Sequence, residues 1–322
     1  MRLPVTVVAG LAGAGKSDLI ARWRAAAPAP WALIIDRGDD FKLPRASGPE
    51  VADPGAADPS VERVGGCACC TGSVALASAL RRLLRRGPWA HLLIELNGAA
   101  HPAAFADALR APALAESVRI TERISVVDAG RLEQRLAGSQ RAWLAEQVQS
   151  ADRVLLRVPS SMPAAEGERL ATALAALGGA GAFAPRVLIW RTGEAPPPPP
   201  APVSDLLDER ERATAQQTLI AVTGERPRWR WVWRVSPDRV FDRMPLVRLF
   251  ASAGLGDRDA LRIEAVFRTE RDWLRYREPD WESSHWRRDS RVQVEFDASR
   301  IDALRHALSG FAGHLSACIR ET

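Results

Sequence analysis

The chain opens Leu3-Pro4-Val5-Thr6-Val7-Val8-Ala9 and runs at once into Gly10-Leu11-Ala12-Gly13-Ala14-Gly15-Lys16-Ser17. The first segment is rich in Val, which favours a buried strand. Ser17 to Ala27 then carries helical periodicity until Pro28. A strand that turns through glycines directly into a helix restricts the fold more than anything else in the sequence. Glycine lets backbone N–H groups turn inward, and the new helix adds unpaired donors and the positive end of its dipole. The spacing G-x-x-x-x-G-K-[S/T] is met by Gly10, Gly15, Lys16 and Ser17 and predicts a phosphate cradle. Gly10, Gly13, Ala14 and Gly15 line it with backbone, Lys16 reaches the β- and γ-phosphates of a nucleoside triphosphate, and Ser17 presents its hydroxyl to Mg²⁺. A Gly-Ala-rich turn that merely precedes Lys-Ser is the alternative, and the strand before and helix after it favour the cradle.

Strand and helix patterns alternate beyond the loop. Strands are expected at Trp31 to Ile35, His91 to Leu96, Ile120 to Val127, Val154 to Val158 and Arg186 to Trp190. Helices are expected at Ser73 to Arg86, Ala103 to Leu109, within Arg131 to Ala151, and at Glu166 to Leu177, with a loop over residues 44–60. This order predicts an α/β P-loop NTPase domain, a three-layer, mostly parallel sheet with helices on both faces. Pro196 to Pro200 is a stiff spacer, and a helix over Leu206 to Gln217 follows it. Strand patterns then recur at Leu219 to Thr223, Arg228 to Val235, Leu261 to Arg268, Asp272 to Arg277 and Arg291 to Phe296, with helices at Val240 to Ala253 and Ser299 to Gly310. The expected division is therefore 1–195 for the P-loop domain, 196–218 for a proline-rich linker and bridging helix, and 219–322 for a smaller α+β domain.

Composition narrows the partners. Hydrophobic residues make up 47% and charged residues 26%, an ordinary globular balance. The net charge of +5 is spread as Arg among Glu and Asp, and Arg81 to Arg86 reads as the solvated face of a helix. No nucleic-acid partner is expected on that ground. No leader pattern opens the chain and no apolar run reaches membrane-spanning length, so the expectation is a cytoplasmic protein without a membrane partner. Three of the four cysteines crowd into Cys67, Cys69 and Cys70, which reads as metal binding or redox chemistry rather than a disulfide framework.

Other candidates follow from the strand ends, where ligands bind in open α/β sheets. Glu95 is placed for the Mg²⁺ shell and Gly98 for a backbone N–H to the γ-phosphate. Asp36 or Asp39 is placed to hold water or metal in a switch loop. The three thiolates suit Zn²⁺ or Cu⁺, in a cluster too tight for a closed structural site; small buried apolar residues are the alternative. The five histidines are scattered without an H-x-x-x-H pair, and Cys318 stands alone. Trp273, Trp281 and Trp286, with Arg287 and Arg288, read as core and rim of the small domain, or else as a partner surface.

The loop and the cysteine cluster together resemble the CobW-like P-loop GTPases, a metallochaperone family that includes CobW, YjiA-type and nitrile hydratase activator proteins. Gly10 to Ser17 match the phosphate loop, and Gly66-Cys67-Ala68-Cys69-Cys70-Thr71 match the G-C-x-C-C-T signature. Glu95-Leu96-Asn97-Gly98 stand where the family has Glu-Thr-Thr-Gly, with Pro102 just beyond. Val126-Val127-Asp128-Ala129 match a Val-Val-Asp-Ala strand end, and Gln147 with Ala151 to Leu156 matches the approach to the guanine-recognition motif. The segment from about Val240 to Leu308 looks like the family's small C-terminal domain. The resemblance implies GTP hydrolysis at the β–γ phosphoanhydride, with Lys16 and Glu95 as catalytic residues. It also implies delivery of Zn²⁺, or Co²⁺, from Cys67, Cys69 and Cys70 to a client metalloprotein.

The chain departs from the family pattern at named places. Arg157-Val158-Pro159-Ser160 replaces Asn-Lys-x-Asp, so no carboxylate stands where the guanine edge is read. A site without that acceptor loses much of its discrimination, and ATP competes with GTP as the expected nucleotide. Arg191-Thr192-Gly193-Glu194 offers a substitute carboxylate one strand later. The switch-loop Asn-Glu-Phe-Gly becomes Asp36-Arg37-Gly38-Asp39, and Leu96 takes a hydroxyl position. Three readings share the loop: a metal-handling NTPase, a non-hydrolysing nucleotide-binding scaffold or regulator, and a small-molecule or polynucleotide kinase. No Arg-rich lid or acceptor pocket is legible for the third.

Overall fold

A computed structural model describes residues 2–38, 58–65, 73–179, 183–198, 216–222, 227–252 and 261–320. Contacts divide the chain into two compact units, Met1–Ser204 and Asp205–Thr322.

The first unit is a seven-stranded sheet made of β1 (Leu3–Ala9), β2 (Trp31–Gly38), β3 (Val61–Gly65), β4 (His91–Glu95), β5 (Val118–Asp128), β6 (Arg153–Val158) and β7 (Arg186–Arg191). Its order is β3-β2-β4-β1-β5-β6-β7, and every pairing is parallel. The helices are α1 (Lys16–Ala26), α2 (Ser73–Arg86), α3 (Pro102–Leu109), α4 (Pro112–Ala115), α5 (Leu132–Ala137), α6 (Arg141–Gln149) and α7 (Ala164–Gly178). The expected α/β class and parallel sheet are thus those observed.

Both faces of the sheet are covered. Leu3, Val5, Val7 and Ala9 of β1 pack with Leu76, Leu80 and Leu83 of α2 and Phe105 of α3. Val8 points the other way, into a cluster with Leu19, Ile20 and Trp23 of α1. That two-faced burial is why β1 reads as a nearly continuous apolar run. One polar pair is buried in the middle: Thr6 Oγ1 lies 2.9 Å from His91 Nε2, and burial holds the imidazole down to about 4. A third cluster joins α6 and α7 to β5 and β6 through Val127, Leu144, Val148, Leu156 and Leu170.

Several expected boundaries shift. β2 runs through Asp36 to Gly38 instead of stopping at Ile35, because it pairs with β3, which the sequence pattern did not suggest. The helical region 131–151 is broken into α5 and α6 around Gly138. Pro197 and Pro198 are fastened to the first unit, accepting hydrogen bonds from Trp23 Nε1 (2.8 Å) and Arg153 Nη1 (3.0 Å).

The second unit carries a six-stranded antiparallel sheet, β12-β11-β10-β13-β9-β8. Its strands are β8 (Gln216–Val222), β9 (Arg228–Val235), β10 (Arg262–Arg268), β11 (Trp273–Arg277), β12 (Asp280–Ser283) and β13 (Ser290–Asp297). Among the described residues it also carries the helices α8 (Arg243–Ser252) and α9 (Ile301–Ala317). The expected bridging helix over Leu206 to Gln217 lies mostly outside the described residues, and its last two positions belong to β8. Trp231 and Trp233 of β9 enter one core with Phe241, Phe250, Phe267 and Phe311. Trp273 and Trp286 are each 2% exposed. Arg287 lies over the Trp273 ring, and Arg288 and Arg291 lie over Trp286.

Candidate functional site

Strand order places the site. β1 is central, and β4 inserts between it and β2, so the carboxyl ends of all three strands lie together. Glu95 is in register with Val8 on one side and Ile35 on the other. The loop therefore leaves β1 flush with Glu95.

Three loop glycines have backbone that only glycine adopts freely: Gly10 at φ 142, Gly13 at φ 75 and Gly15 at φ 96. Gly15 is the left-handed residue that caps α1. Ala12, Gly13 and Ser17 face solvent, whereas Ala14 and Lys16 are buried. Lys16 Nζ donates to Gly10 O at 2.7 Å and to Leu11 O at 3.3 Å, so the ammonium is curled under the loop. Burial lowers its pKa, Glu95 opposes that shift and Arg135 adds to it. Ser17 Oγ donates to Glu95 Oε1 at 2.6 Å. Two oxygens in contact at a strand end suit a hard cation such as Mg²⁺, and Ser17 and Glu95 are the residues that would hold it.

The neighbouring turn is built by Asn97. Its Nδ2 donates to Asp36 Oδ2 at 2.7 Å, and its Oδ1 accepts from Ala99 N at 2.8 Å. Asp36, 4% exposed, therefore stands near the end of β2 with its Oδ2 held by Asn97. Gly98 packs directly on the loop: a Cβ placed there would lie 2.9 Å from Ala12 Cα. Lys16, Ser17, Asp36 and Glu95 line one cleft of about 730 Å³, together with Arg37 and Arg63. Leu96 is fully buried in the core, which accounts for an apolar residue there. Cys67, Cys69 and Cys70, and Asp39, lie outside the described residues.

The opposite side of the loop differs. Arg157, at the end of β6, lies across Gly15: its Nη1 is 2.6 Å from where a Gly15 Cβ would be, and its Cδ is 3.0 Å away. Its guanidinium sits over the Trp190 ring at 5.6 Å and 3.9 Å from Asp18 Oδ2. Glu194 is exposed in the turn after β7. Sequence reasoning passed over Arg131 and Arg135, which follow β5. Arg135 Nη2 donates to Ala12 O at 3.3 Å, and Arg131 Nη1 lies 3.9 Å from the place of a Gly13 Cβ. Their spacing of four on a helical stretch was the available signal.

A parallel sheet whose first strand turns through this loop into α1, with Lys16 under the loop and Ser17 on Glu95, defines a P-loop nucleotide-binding protein. Residues 4–181 match the family described as CobW/HypB/UreG, nucleotide-binding domain, over more than half of the chain, and the protein belongs to that family. A curated relative, the zinc chaperone CobW of Pseudomonas aeruginosa, is 29% identical over 133 residues, 39% of this chain. The match spans only 36% of that relative's length. Among solved structures, the Zn(II)-bound YjiA GTPase from E. coli is similar at a TM-score of 0.43 and 16% identity, covering 97% of this chain and 99% of that one. The GDP complex of the signal recognition particle 54 kDa protein from Aeropyrum pernix K1 is similar at a TM-score of 0.33 and 20% identity, covering 61% and 43%. No described helix is long and apolar enough to cross a membrane.

Proposed function

We propose that this chain is a metal-handling P-loop NTPase of the cytoplasm, in which nucleotide state controls release of Zn²⁺ or Co²⁺ to a client metalloprotein. The observation that carries the reading is the convergence of Lys16, Ser17 and Glu95 on one loop. Lys16 and the loop N–H groups of Gly10 to Gly15 hold the phosphates of GTP or ATP. Ser17 and Glu95 would hold Mg²⁺, which would supply charge neutralisation to the phosphates. Asp36 completes the polar surface of that cleft, and Gly98 offers its N–H to the terminal phosphate.

The link to cargo runs through Asn97. It precedes Gly98 and grips Asp36 on β2, and β2 pairs with β3 up to Gly65. The next residues are Gly66 and Cys67. A change at the phosphates thereby reaches the strand pair that leads into Cys67, Cys69 and Cys70, the thiolates assigned to the cargo metal. The zinc chaperone relative supports the same assignment. We assign residues 1–195 to the nucleotide domain and the residues from β8 at Gln216 onward to the C-terminal domain, with the proline-rich linker between them.

The test is zinc affinity of the full chain, measured by chelator competition with no nucleotide, with GDP and with a non-hydrolysable GTP analogue. Nucleotide-dependent affinity that disappears in the Cys67, Cys69, Cys70 triple serine variant is expected. Equal zinc binding by parent and variant refutes the reading. Arg157 across Gly15 favours a second reading, a nucleotide-binding scaffold without turnover. Multiple turnover abolished by Lys16→Ala refutes that one.

A further inference from the structure

We propose that Arg131 and Arg135 form a built-in arginine pair that recognises the terminal phosphate of the bound nucleotide and so distinguishes triphosphate from diphosphate. The inference rests on the phosphate-binding reading of Gly10 to Ser17 and adds two residues to it.

Topology sets the pair beside the loop. β5 lies next to β1, with Ala9 in register with Ser125. Asp128 ends β5, and its Oδ1 accepts from Gly130 N at 3.2 Å, capping the 3₁₀ turn Ala129–Arg131. α5 follows at once, with Arg131 as its N-cap residue and Arg135 within it, and both side chains line the same cleft. Both reach the exposed apex of the loop, Arg135 at Ala12 O and Arg131 at Gly13. Gly98 closes on the same apex from the other side. The three border one cleft of about 760 Å³ with Leu11, Ala12 and Asn97.

The charge there is unbalanced. Arg135 is only 6% exposed, yet its Nη1 has no hydrogen-bond partner. Among the described residues no carboxylate lies within ion-pair distance of either guanidinium. Burial and Arg131 disfavour the charge on Arg135, and Asp128, whose Oδ1 accepts from Gly130 N, favours it. A buried, unpaired guanidinium nitrogen is costly unless an anion completes it. Burial lowers the pKa of Lys16, Glu95 opposes that shift and Arg135 adds to it, so Arg135 places further positive charge beside the loop lysine. The planar guanidinium fork suits phosphate oxygens. Gly98, assigned to the terminal phosphate, lines the same cleft as both arginines, so a third phosphate held there would meet them, and a diphosphate would lack that group.

The test is equilibrium titration of the full chain with fluorescently labelled GDP and a labelled non-hydrolysable GTP analogue, in Mg²⁺. Arg131 is exposed, so Arg131→Ala leaves the fold intact; Arg135→Lys keeps the charge but loses the fork. Each variant is expected to bind the triphosphate analogue about 10- to 100-fold more weakly, the scale of a hydrogen bond to a charged group. GDP affinity is expected to stay within about threefold. An unchanged ratio of the two affinities in both variants overturns the inference, as does an equal loss for both ligands. Failure of the parent to bind either nucleotide marks instead the failure of the phosphate-loop reading, and the inference falls with it.

Discussion

Replacing Gly98 by alanine tests the closest approach in the site. The added methyl would lie 2.9 Å from Ala12 Cα and 3.0 Å from Ala12 Cβ, with the Ala12 nitrogen nearer still. Carbon pairs prefer about 3.5–4.0 Å, so the overlap is roughly 0.5–1 Å against backbone. No rotamer relieves it. Either the Asn97-Gly98 turn or the loop apex must retreat by a similar distance. Overpacking of this kind costs about 1–3 kcal/mol of stability, and a shift of about 1 Å in a positioned group weakens function about 10²-fold. We therefore expect Gly98→Ala to bind a triphosphate analogue about 30- to 100-fold more weakly on that scale. Titration with labelled nucleotide reads the loss of affinity and urea unfolding the loss of stability. Parent-like affinity and parent-like stability together would show that the turn does not rest on the loop, and the reasoning would fail.

Further outcomes concern separate parts of the molecule. Glu95→Gln removes the charge that Ser17 contacts, and Mg²⁺ should then strengthen nucleotide binding about tenfold less than in the parent; an unaltered Mg²⁺ dependence contradicts the assignment. His91 titrates near 6.5 when unfolded and about 4 when folded. The unfolded chain thus binds the extra proton between those values, and stability falls as pH drops through the window, by about 1.4 kcal/mol per unit. Denaturant midpoints from pH 7 to pH 4 should show that slope, and His91→Gln should flatten it. Gly310 and Gly313 are exposed positions inside α9 with nothing within 4 Å of an added Cβ. Alanine at each should stabilise by about 0.5–1 kcal/mol, read from the unfolding of the second unit; a loss of stability would contradict the helix.

The sequence was most legible where one segment answered to one environment. β1 is buried on both faces, so its Val run marked it. Arg228–Val235 alternates Trp with Arg, and its strand matched residue for residue. β3 escaped because Val61-Glu62-Arg63-Val64 offers only two apolar positions. Its Glu62 is buried because Arg82 and Arg86 reach over it from α2, a tertiary arrangement that local pattern does not carry. α9 extends past Gly310 because Phe311, Ala312 and Leu315 continue the buried face, which outweighs two glycines.

The site divides in the same way. Lys16, Ser17 and Glu95 were readable because a strand end and a loop motif are local features. The placement of Arg131, Arg135 and Arg157 around the loop was not, since it depends on β5 standing beside β1 and β6 beside β5. That adjacency belongs to the sheet order. The base side of the pocket shows this most clearly: the sequence revealed a missing carboxylate, and the structure revealed a guanidinium lying across Gly15 over Trp190.

The central claim is that Gly10 to Ser17 grips the phosphates while the base side discriminates weakly. Calorimetric titration of the full chain with GTP and with ATP, each with and without Mg²⁺, tests it directly. The account predicts one site per chain for both nucleotides, affinities within about tenfold of each other, enhancement by Mg²⁺, and loss of both in Lys16→Ala. Binding of neither nucleotide, or binding that survives Lys16→Ala undiminished, contradicts it.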